Sequence, residues 1–341
     1  MGEGARRTPG PRAGLASARR RALGVLRRAE SFLLLLHESP DGDSVGSTLG
    51  LALGLGRLKK RVVTAGVDPL PEQYRFLPGA DLVQPWPQVG GSYDAAVLID
   101  CGDLARVGPP QRVREAARLV LNIDHHPTNT GFGDINLVDP AAPAAGGIVY
   151  DLLRGLRVDP TAEMATCLYA ALLTDTGSFR YENTSAPALA LGAELVRLGA
   201  DPGLVAMEVY ETKPLSHLRL LQGALKTLRT SPDGRVAWMR VTPGMMAEAG
   251  ATDGETEGLV NYARMVEGAE VGILFREVGG GRVKISLRSR RHVDVGRLAA
   301  EFGGGGHARA AGFWLAGDLA QVEGLVLGRV GQELAGRGGG A

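Results

Sequence analysis

Leu119-Val120-Leu121-Asn122-Ile123-Asp124-His125-His126 decides how this chain is read: an apolar run of strand length ends in three side chains that can hold or orient around a metal. The pattern recurs. Phe32-Leu33-Leu34-Leu35-Leu36 runs into His37-Glu38-Ser39-Pro40-Asp41-Gly42-Asp43, and Ala95-Ala96-Val97-Leu98-Ile99 runs into Asp100. Leu168-Tyr169-Ala170-Ala171-Leu172-Leu173-Thr174 runs into Asp175. Four apolar segments thus deliver acids or histidines at their C-terminal ends, which is where an α/β sheet gathers its chemistry. Alone, Asp43 would read as a helix N-cap, Asp100 as a turn residue and His125 as a buried, satisfied histidine. Their coincidence at segment ends argues for a site.

Outward from these runs, residues 20 to 200 alternate between the two periodicities. Ser17–Glu30 reads as an opening helix, with Ser17 a candidate N-cap. Ser44–Leu58, Ile148–Leu156, Glu163–Leu173 and Ala188–Leu198 read as helices, and Val62-Val63 joins the apolar runs as a strand. The run before Asp175 thus fits both a strand end and a helix end. Alternation of this kind predicts a mainly parallel sheet flanked by crossover helices. Asp201-Pro202-Gly203 and Lys213-Pro214 interrupt it. Beyond them, Val236–Val241, Val271–Phe275 and Val283–Leu287 read as strands. Leu218–Leu228, Val295–Phe302 and Leu319–Leu334 read as helices. The expected organisation is α/β throughout: a disordered tail over 1–20, a catalytic domain over 21–200, a linker over 201–217 and a smaller α/β domain over 218–336.

The chain has 341 residues and a formal net charge of +1. No global basic field recruits long nucleic acid, so any polyanion must be met by local patches. The N-terminal residues, rich in Arg, Gly, Pro and Ala, suit a tail better than a nucleic-acid arm. Cys101 and Cys167 are the only cysteines, which argues against a disulfide framework and for the reducing cytoplasm. No run approaches the ~20 apolar residues of a membrane span.

His37, Asp41 and Asp43 lie in one loop, where Pro40 and Gly42 let the backbone turn their side chains to one point. With Asp100, His125 and Asp175 they make six strong ligands, more than one ion needs. Imidazoles mixed with carboxylates suit manganese best, with magnesium, cobalt or iron as alternatives. Zinc would favour a compact tetrahedral set with fewer carboxylates. A carboxylate from a middle strand can bridge two ions about 3.5–4 Å apart, as in in-line phosphoryl displacement.

These residues resemble the DHH phosphoesterase superfamily, whose triplet stands here as Asp124-His125-His126. The opening motif matches as His37-x-x-Pro40-Asp41-Gly42-Asp43-x-x-Gly46-Ser47, the second as Asp100, and the fourth as Leu173-Thr174-Asp175-Thr176-Gly177-x-Phe179-Arg180. Gly303-Gly304-Gly305-Gly306-His307-x-x-Ala310-Ala311-Gly312 is similar to the signature of the DHH-associated C-terminal domain. The resemblance implies two divalent ions. His37, Asp41 and Asp175 would hold the first, Asp43 and His125 the second, and Asp100 would bridge them. His126 would sit by the reacting phosphate, and Asp124 would orient the histidines. Gly304, Gly305 and Gly306 would bring backbone amides to a phosphate or nucleotide, with His307, Arg288 and Arg291 as side-chain holds. It further implies an active site in a cleft between the domains, and a homodimer formed through the N-terminal one.

Two-domain members of this size resemble oligoribonucleases. They hydrolyse RNA or DNA oligonucleotides of a few residues, dinucleotides included, and several also hydrolyse 3′-phosphoadenosine 5′-phosphate (PAP). The rival readings are a cyclic or linear di-adenylate phosphodiesterase and a metal-dead nucleic-acid-binding scaffold. A family II pyrophosphatase is opposed by the Gly303–Gly312 motif. A RecJ-type nuclease on long single strands would need further domains.

Overall fold

Helix α1 (Pro11–Arg28) leads into β1 (Ser31–Leu36), α2 (Gly42–Arg57), β2 (Arg61–Gly66), β3 (Val83–Pro85) and β4 (Ala95–Ile99). Then follow α3 (Pro110–Ala116), β5 (Val120–Asp124), β6 (Ile135–Val138), α4 (Ala145–Gly155), α5 (Ala162–Asp175), α6 (Ala186–Arg197) and α7 (Pro202–Ala206). The structure is a computed structural model that describes residues 11–336. The first half of the expected tail therefore lies outside the described residues. Residues 11–20 do not match that expectation, because α1 starts at Pro11, ahead of Ser17. Its arginines account for the difference. Arg19, Arg21 and Arg27 donate to the carbonyls of Asp151, Asp134 and Gly155, while Ala22 and Leu26 are buried beneath them. A composition that resembles a polar tail is an amphipathic helix fastened by its charged face.

The six strands form one sheet in the order β3-β2-β1-β4-β5-β6, all parallel. Phe32 to Leu36 and Ala95 to Ile99 are wholly buried, because a parallel sheet is covered on both faces and its strands read as unbroken apolar runs. Phe32, Leu34, Leu36, Val97 and Ile99 pack on α2, α4 and α5. Leu33, Leu35, Ala96 and Leu98 pack on the other side with Trp86, Tyr93 and Val113. The strand order reverses between β1 and β4, and such a reversal leaves a crevice at the C-terminal strand ends. β3, β6 and α3 lie outside the sequence expectation. They are too short to establish a period.

α2 carries glycine at every fourth position, Gly42, Gly46, Gly50 and Gly54. A Cβ added at these positions would meet Thr174 at 2.5 Å, the Cys167 carbonyl at 2.3 Å, Leu168 at 2.9 Å and Leu153 at 2.2 Å. The ridge lets α2 lie against α5, which brings the start of α2 beside the end of α5.

Residues 201–217, expected as a linker, are largely helical. They hold α7, a π-helical turn at Met207–Glu211 and the start of α8 (Leu215–Lys226). The chain divides into two compact units between Thr212 and Lys213. After α8 the second unit contains β7 (Arg229–Thr230), β8 (Val236–Val241), α9 (Pro243–Ala249), α10 (Val260–Arg264), β9 (Val271–Val278) and β10 (Arg282–Ser289). It closes with α11 (Val295–Glu301), β11 (Gly305–His307), β12 (Ala310–Ala316) and α12 (Leu319–Gly336). Its sheet runs β11-β12-β10-β9-β8-β7, antiparallel except for the parallel pair β8–β9. Among the described residues no helix is long and apolar enough to cross a membrane.

The glycine ridge gives a paired prediction. Gly46→Ala forces a Cβ into the Cys167 carbonyl and should destabilise the protein by roughly 1–3 kcal/mol. Gly56→Ala, on the same helix but in open space, should stabilise it by about 0.5–1 kcal/mol. Urea midpoints of the two variants decide the matter. A midpoint for Gly46→Ala at or above wild type would show that α2 and α5 do not need this approach.

Candidate metal centre

All six expected ligands belong to the first unit, and five of them flank the β1/β4 reversal or the neighbouring β5. His37 follows β1. Asp100 follows β4 with a φ of +56°, a left-handed conformation that a non-glycine residue holds only under constraint. His125 follows β5. Asp41 is the N-cap of α2, accepting from the Ser44 amide at 3.0 Å. This leaves Asp43, the alternative cap, inside the first helical turn and turned inward. There the Asp43 carboxylate accepts from Ser47 Oγ at 2.7 Å and from the Ala145 and Gly146 amides at 2.6 and 3.0 Å. It thus caps α4 from another helix, since Ala144 offers no side-chain cap of its own.

His125 is fixed at both ends. Its Nδ1 lies 3.1 Å from the Ala142 carbonyl, which can only accept. Nδ1 therefore carries the proton, and Nε2 turns to the carboxylates. It stands 3.4 Å from Asp100 Oδ1, 3.6 Å from Asp43 Oδ2 and 3.7 Å from Asp175 Oδ2. The neighbouring His126 points elsewhere: its Nδ1 lies 2.7 Å from Asp124 Oδ1 and 3.5 Å from Asp100 Oδ1, and the two rings are inclined by 69°. Asp124 also accepts from the His125 amide and from Asn129 Nδ2. Burial alone would raise Asp124, but these donors outweigh burial and hold it below the ordinary carboxylate value.

Three clusters built wholly from residues of the first unit bring ligand atoms within 4.8 Å of one another: His37 with Asp41 and Asp100, Asp43 with Asp100 and His125, and Asp124 with Asp100 and His126. Asp100 is common to all three. Asp175 joins none of these clusters among the described residues and stands against His125, where Asn183 Nδ2 donates to it at 3.2 Å. Sequence reasoning missed Asn183, Asn129 and Arg106, and it quoted Ser47 in the opening motif without giving it a role. Arg106 lies 2.9 Å from His37 Nδ1, and nothing in its local sequence marks it.

A cation fits this donor set. His37 Nε2 and Asp100 Oδ1 are buried and have no hydrogen-bond partner among the described residues, a costly state unless something else meets them. Charge points the same way. Desolvation, then Asp41 and Asp43, push Asp100 well above the usual carboxylate range. Desolvation raises Asp43 also, and lifts Asp175 to about 8. Burial would lower His125, but Asp100, Asp175 and Asp43 override it and push the imidazole up to about 11. Metal-free, the centre holds protons in place of a cation. His37 differs: burial and then Arg106 lower it to about 4, so it is neutral and ready to ligate.

In the second unit, β10 holds Arg288, whose NH1 donates to the Leu287 carbonyl. The Arg291, His292 and Val293 amides close on Glu270. The glycine run is not a bare phosphate loop. Gly305–His307 form β11 against β12, and the Gly304 amide already donates to Ala299. A Cβ at Gly304 would meet Gly312 and Phe313, and one at Gly306 would meet Ala310. Close packing of the backbone accounts for both.

The model of the DHH family, N-terminal domain, matches residues 31–172, and that of the DHHA1 domain matches residues 233–335. The chain is 37% identical over 317 residues to the bifunctional oligoribonuclease and PAP phosphatase NrnA of Thermus thermophilus, covering 91% of this chain and 92% of that protein. It is 28% identical over 292 residues to the Bacillus subtilis protein of the same name, covering 83% and 88%. The crystal structure of an exopolyphosphatase-related protein from Bacteroides fragilis superimposes with a TM-score of 0.84 at 26% identity, over 94% of this chain and 96% of that one.

The pKa pattern predicts how metal and pH interact. Asp175 and His125 both have folded values above their unfolded ones. Their contribution to the metal-free fold is full at low pH and is lost as pH rises through about 8 and beyond. His37 adds no change above its unfolded 6.5. Between pH 6.5 and 8 the chelated protein should therefore lose Tm, while metal-loaded protein, with its ligands deprotonated, gains relative to it. Scanning calorimetry of both forms at pH 6.5, 7.25 and 8 would show the gap widening. A gap that is constant or narrows overturns the charge account.

Proposed function

Because this chain belongs to the DHH phosphoesterase family, we propose that it hydrolyses oligonucleotides of a few residues to mononucleotides and also releases phosphate from PAP. The observation that carries the reading is Asp100, buried at the β1/β4 reversal and shared by the three ligand clusters that lie wholly within the first unit. The similarity to the two NrnA proteins, whose names state both activities, supports the substrate class.

In this reading His37 and Asp41 would hold one divalent ion and Asp43 and His125 a second, with Asp100 available to both and Asp175 beside His125 to complete the set. Manganese suits the mixture of imidazole and carboxylate best. When bound, the pair supplies Lewis acidity at the phosphoryl oxygens and lowers the pKa of water. The chain's own residues do the rest. Ala142 fixes the His125 tautomer, the α4 amides and Ser47 hold Asp43, and Asp124 orients His126. His126, with its Nδ1–H donating to Asp124, would in its doubly protonated form donate Nε2–H to a phosphoryl oxygen and stabilise developing charge there. Asp124 keeps the proton on His126 Nδ1. Arg288, Arg291 and His307 hold the nucleotide or its terminal phosphate, since the Gly304–Gly306 backbone is engaged with β12 and Ala299.

Two sets of variants test this. Asp100→Asn should lose bound metal and most turnover, while His126→Ala should keep both ions and lose roughly 100- to 1,000-fold in kcat. Elemental analysis beside manganese-dependent hydrolysis of a 5′-phosphorylated dinucleotide reads both. Loss of metal in His126→Ala with retention in His125→Ala would reverse the two roles. His307→Ala and Arg288→Ala should keep metal and lose about 10- to 150-fold in kcat/KM, corresponding to one charge-assisted contact of about 1.5–3 kcal/mol. A substrate panel of dinucleotide, 24-mer, PAP, cyclic di-adenylate and pyrophosphate tests the class. Preference for the 24-mer or pyrophosphate would overturn the reading.

A further inference from the structure

The sheet of the second unit has two unlike faces. Val283, Ile285 and Leu287 of β10 and Phe313 of β12 point into a core with α11 and α12. The alternate residues, on the other face, are Arg282, Lys284, Ser286 and Arg288 on β10, and Ala310, Gly312, Trp314 and Ala316 on β12. On this side α8 and α10 cover the sheet toward β8 and β9, where Met239, Val241 and Leu274 are buried. β10 and β12 carry no carboxylate at all, nor does the edge strand β11. Trp314 stands opposite Lys284 in register and is 46% exposed, with the Arg282 guanidinium 5.5 Å and the Lys284 ammonium 5.6 Å from its ring centroid. Trp86, by contrast, is 3% exposed.

We propose that the Arg282–Lys284–Trp314 face binds single-stranded nucleic acid, Trp314 stacking on a base and the β10 cations meeting the backbone of the strand beyond the nucleotide held at Arg288. Three features converge on this ligand. An indole with cations over it is a stacking platform with local positive charge, the combination that grips single strands without reading their sequence. Alternate β10 side chains repeat about every 6.6–6.8 Å, close to the repeat of phosphates along an extended strand. Gly312, Ala310 and Ala316 leave a floor of small side chains beside the ring. The near-zero net charge of the whole chain makes a local cationic row the available means of holding a polyanion. The inference rests on the oligonucleotide reading above, and it concerns the part of the strand that is not being cleaved.

The test uses the full chain in chelator, so that nothing is cut, with a 12-mer oligoadenylate as the probe. Binding should quench tryptophan fluorescence, and Trp314→Ala should remove the quench and weaken binding roughly 5- to 150-fold, with Trp314→Phe restoring part of it. Arg282→Ala/Lys284→Ala should weaken binding and make its salt dependence shallower by about 1.4 in log–log slope. With manganese present, all three should turn over a dinucleotide as wild type does, which also shows that they fold. Wild-type binding of the 12-mer by both Trp314→Ala and the double variant would overturn the proposal. So would a 12-mer oligoglutamate that binds as tightly as the RNA, which would assign the face to acidic peptides. If wild type fails to cleave any oligonucleotide while the variants still lose 12-mer binding, the proposed activity falls and this face stands.

Discussion

The burial of Asp43, Asp100 and Asp175 around a single imidazole, with repulsion from neighbouring acids such as Asp41 added to it, governs the first unit. Carboxylates at this separation in a desolvated crevice cannot all ionise unless positive charge joins them. In the absence of metal the site takes protons: Asp175 rises to about 8 and His125 to about 11. A divalent cation would answer the same demand with deprotonated ligands, and it would meet the His37 Nε2 and Asp100 Oδ1 atoms, which have no hydrogen-bond partner among the described residues. The site is thus built around charge that the polypeptide does not itself supply.

Holding such a cluster together requires a scaffold that resists it. The parallel sheet sends three strand ends to the crevice at the β1/β4 reversal, and the glycine ridge of α2 brings its first turn against the last turn of α5. Asp43 is held further by the α4 amides, so the start of one helix is capped by a ligand from another. This links folding to the site. A change that separates α2 from α5 shifts Asp43 relative to Asp175, and one that frays α4 releases Asp43. Arg106 beside His37 adds a cation where one is unfavourable for metal, an arrangement that suits a centre whose substrate brings phosphate.

The second unit follows a different logic. Its sheet buries one face against α11 and α12. It divides the other between an apolar half beneath α8 and α10 and a cationic half on β10 and β12. The glycine run packs β11 against β12.

Much of this was legible in the sequence because buried parallel strands are continuous apolar runs. A ligand placed just after such a run is a ligand at the C-terminal edge of the sheet. Phe32–Leu36, Ala95–Ile99 and Val120–Asp124 declared themselves in this way, and their sequels His37, Asp100 and His125 meet in space. The period of helices α4, α5 and α6 was equally plain, whereas the apolar run before Asp175 suited a strand as well as a helix and was settled as the end of α5 by the structure. Tertiary structure alone decided the rest. It made the arginine-rich start a docked helix, because Arg19, Arg21 and Arg27 find carbonyls far away in sequence. It chose Asp41 over Asp43 as the cap of α2, because α4 offered Asp43 two unpaired amides. It drew Arg106, Asn129 and Asn183 to the centre, since hydrogen bonds across loops leave no periodic trace. It also set Trp314 opposite Lys284, a neighbour fixed by strand register, which a single sequence does not encode locally.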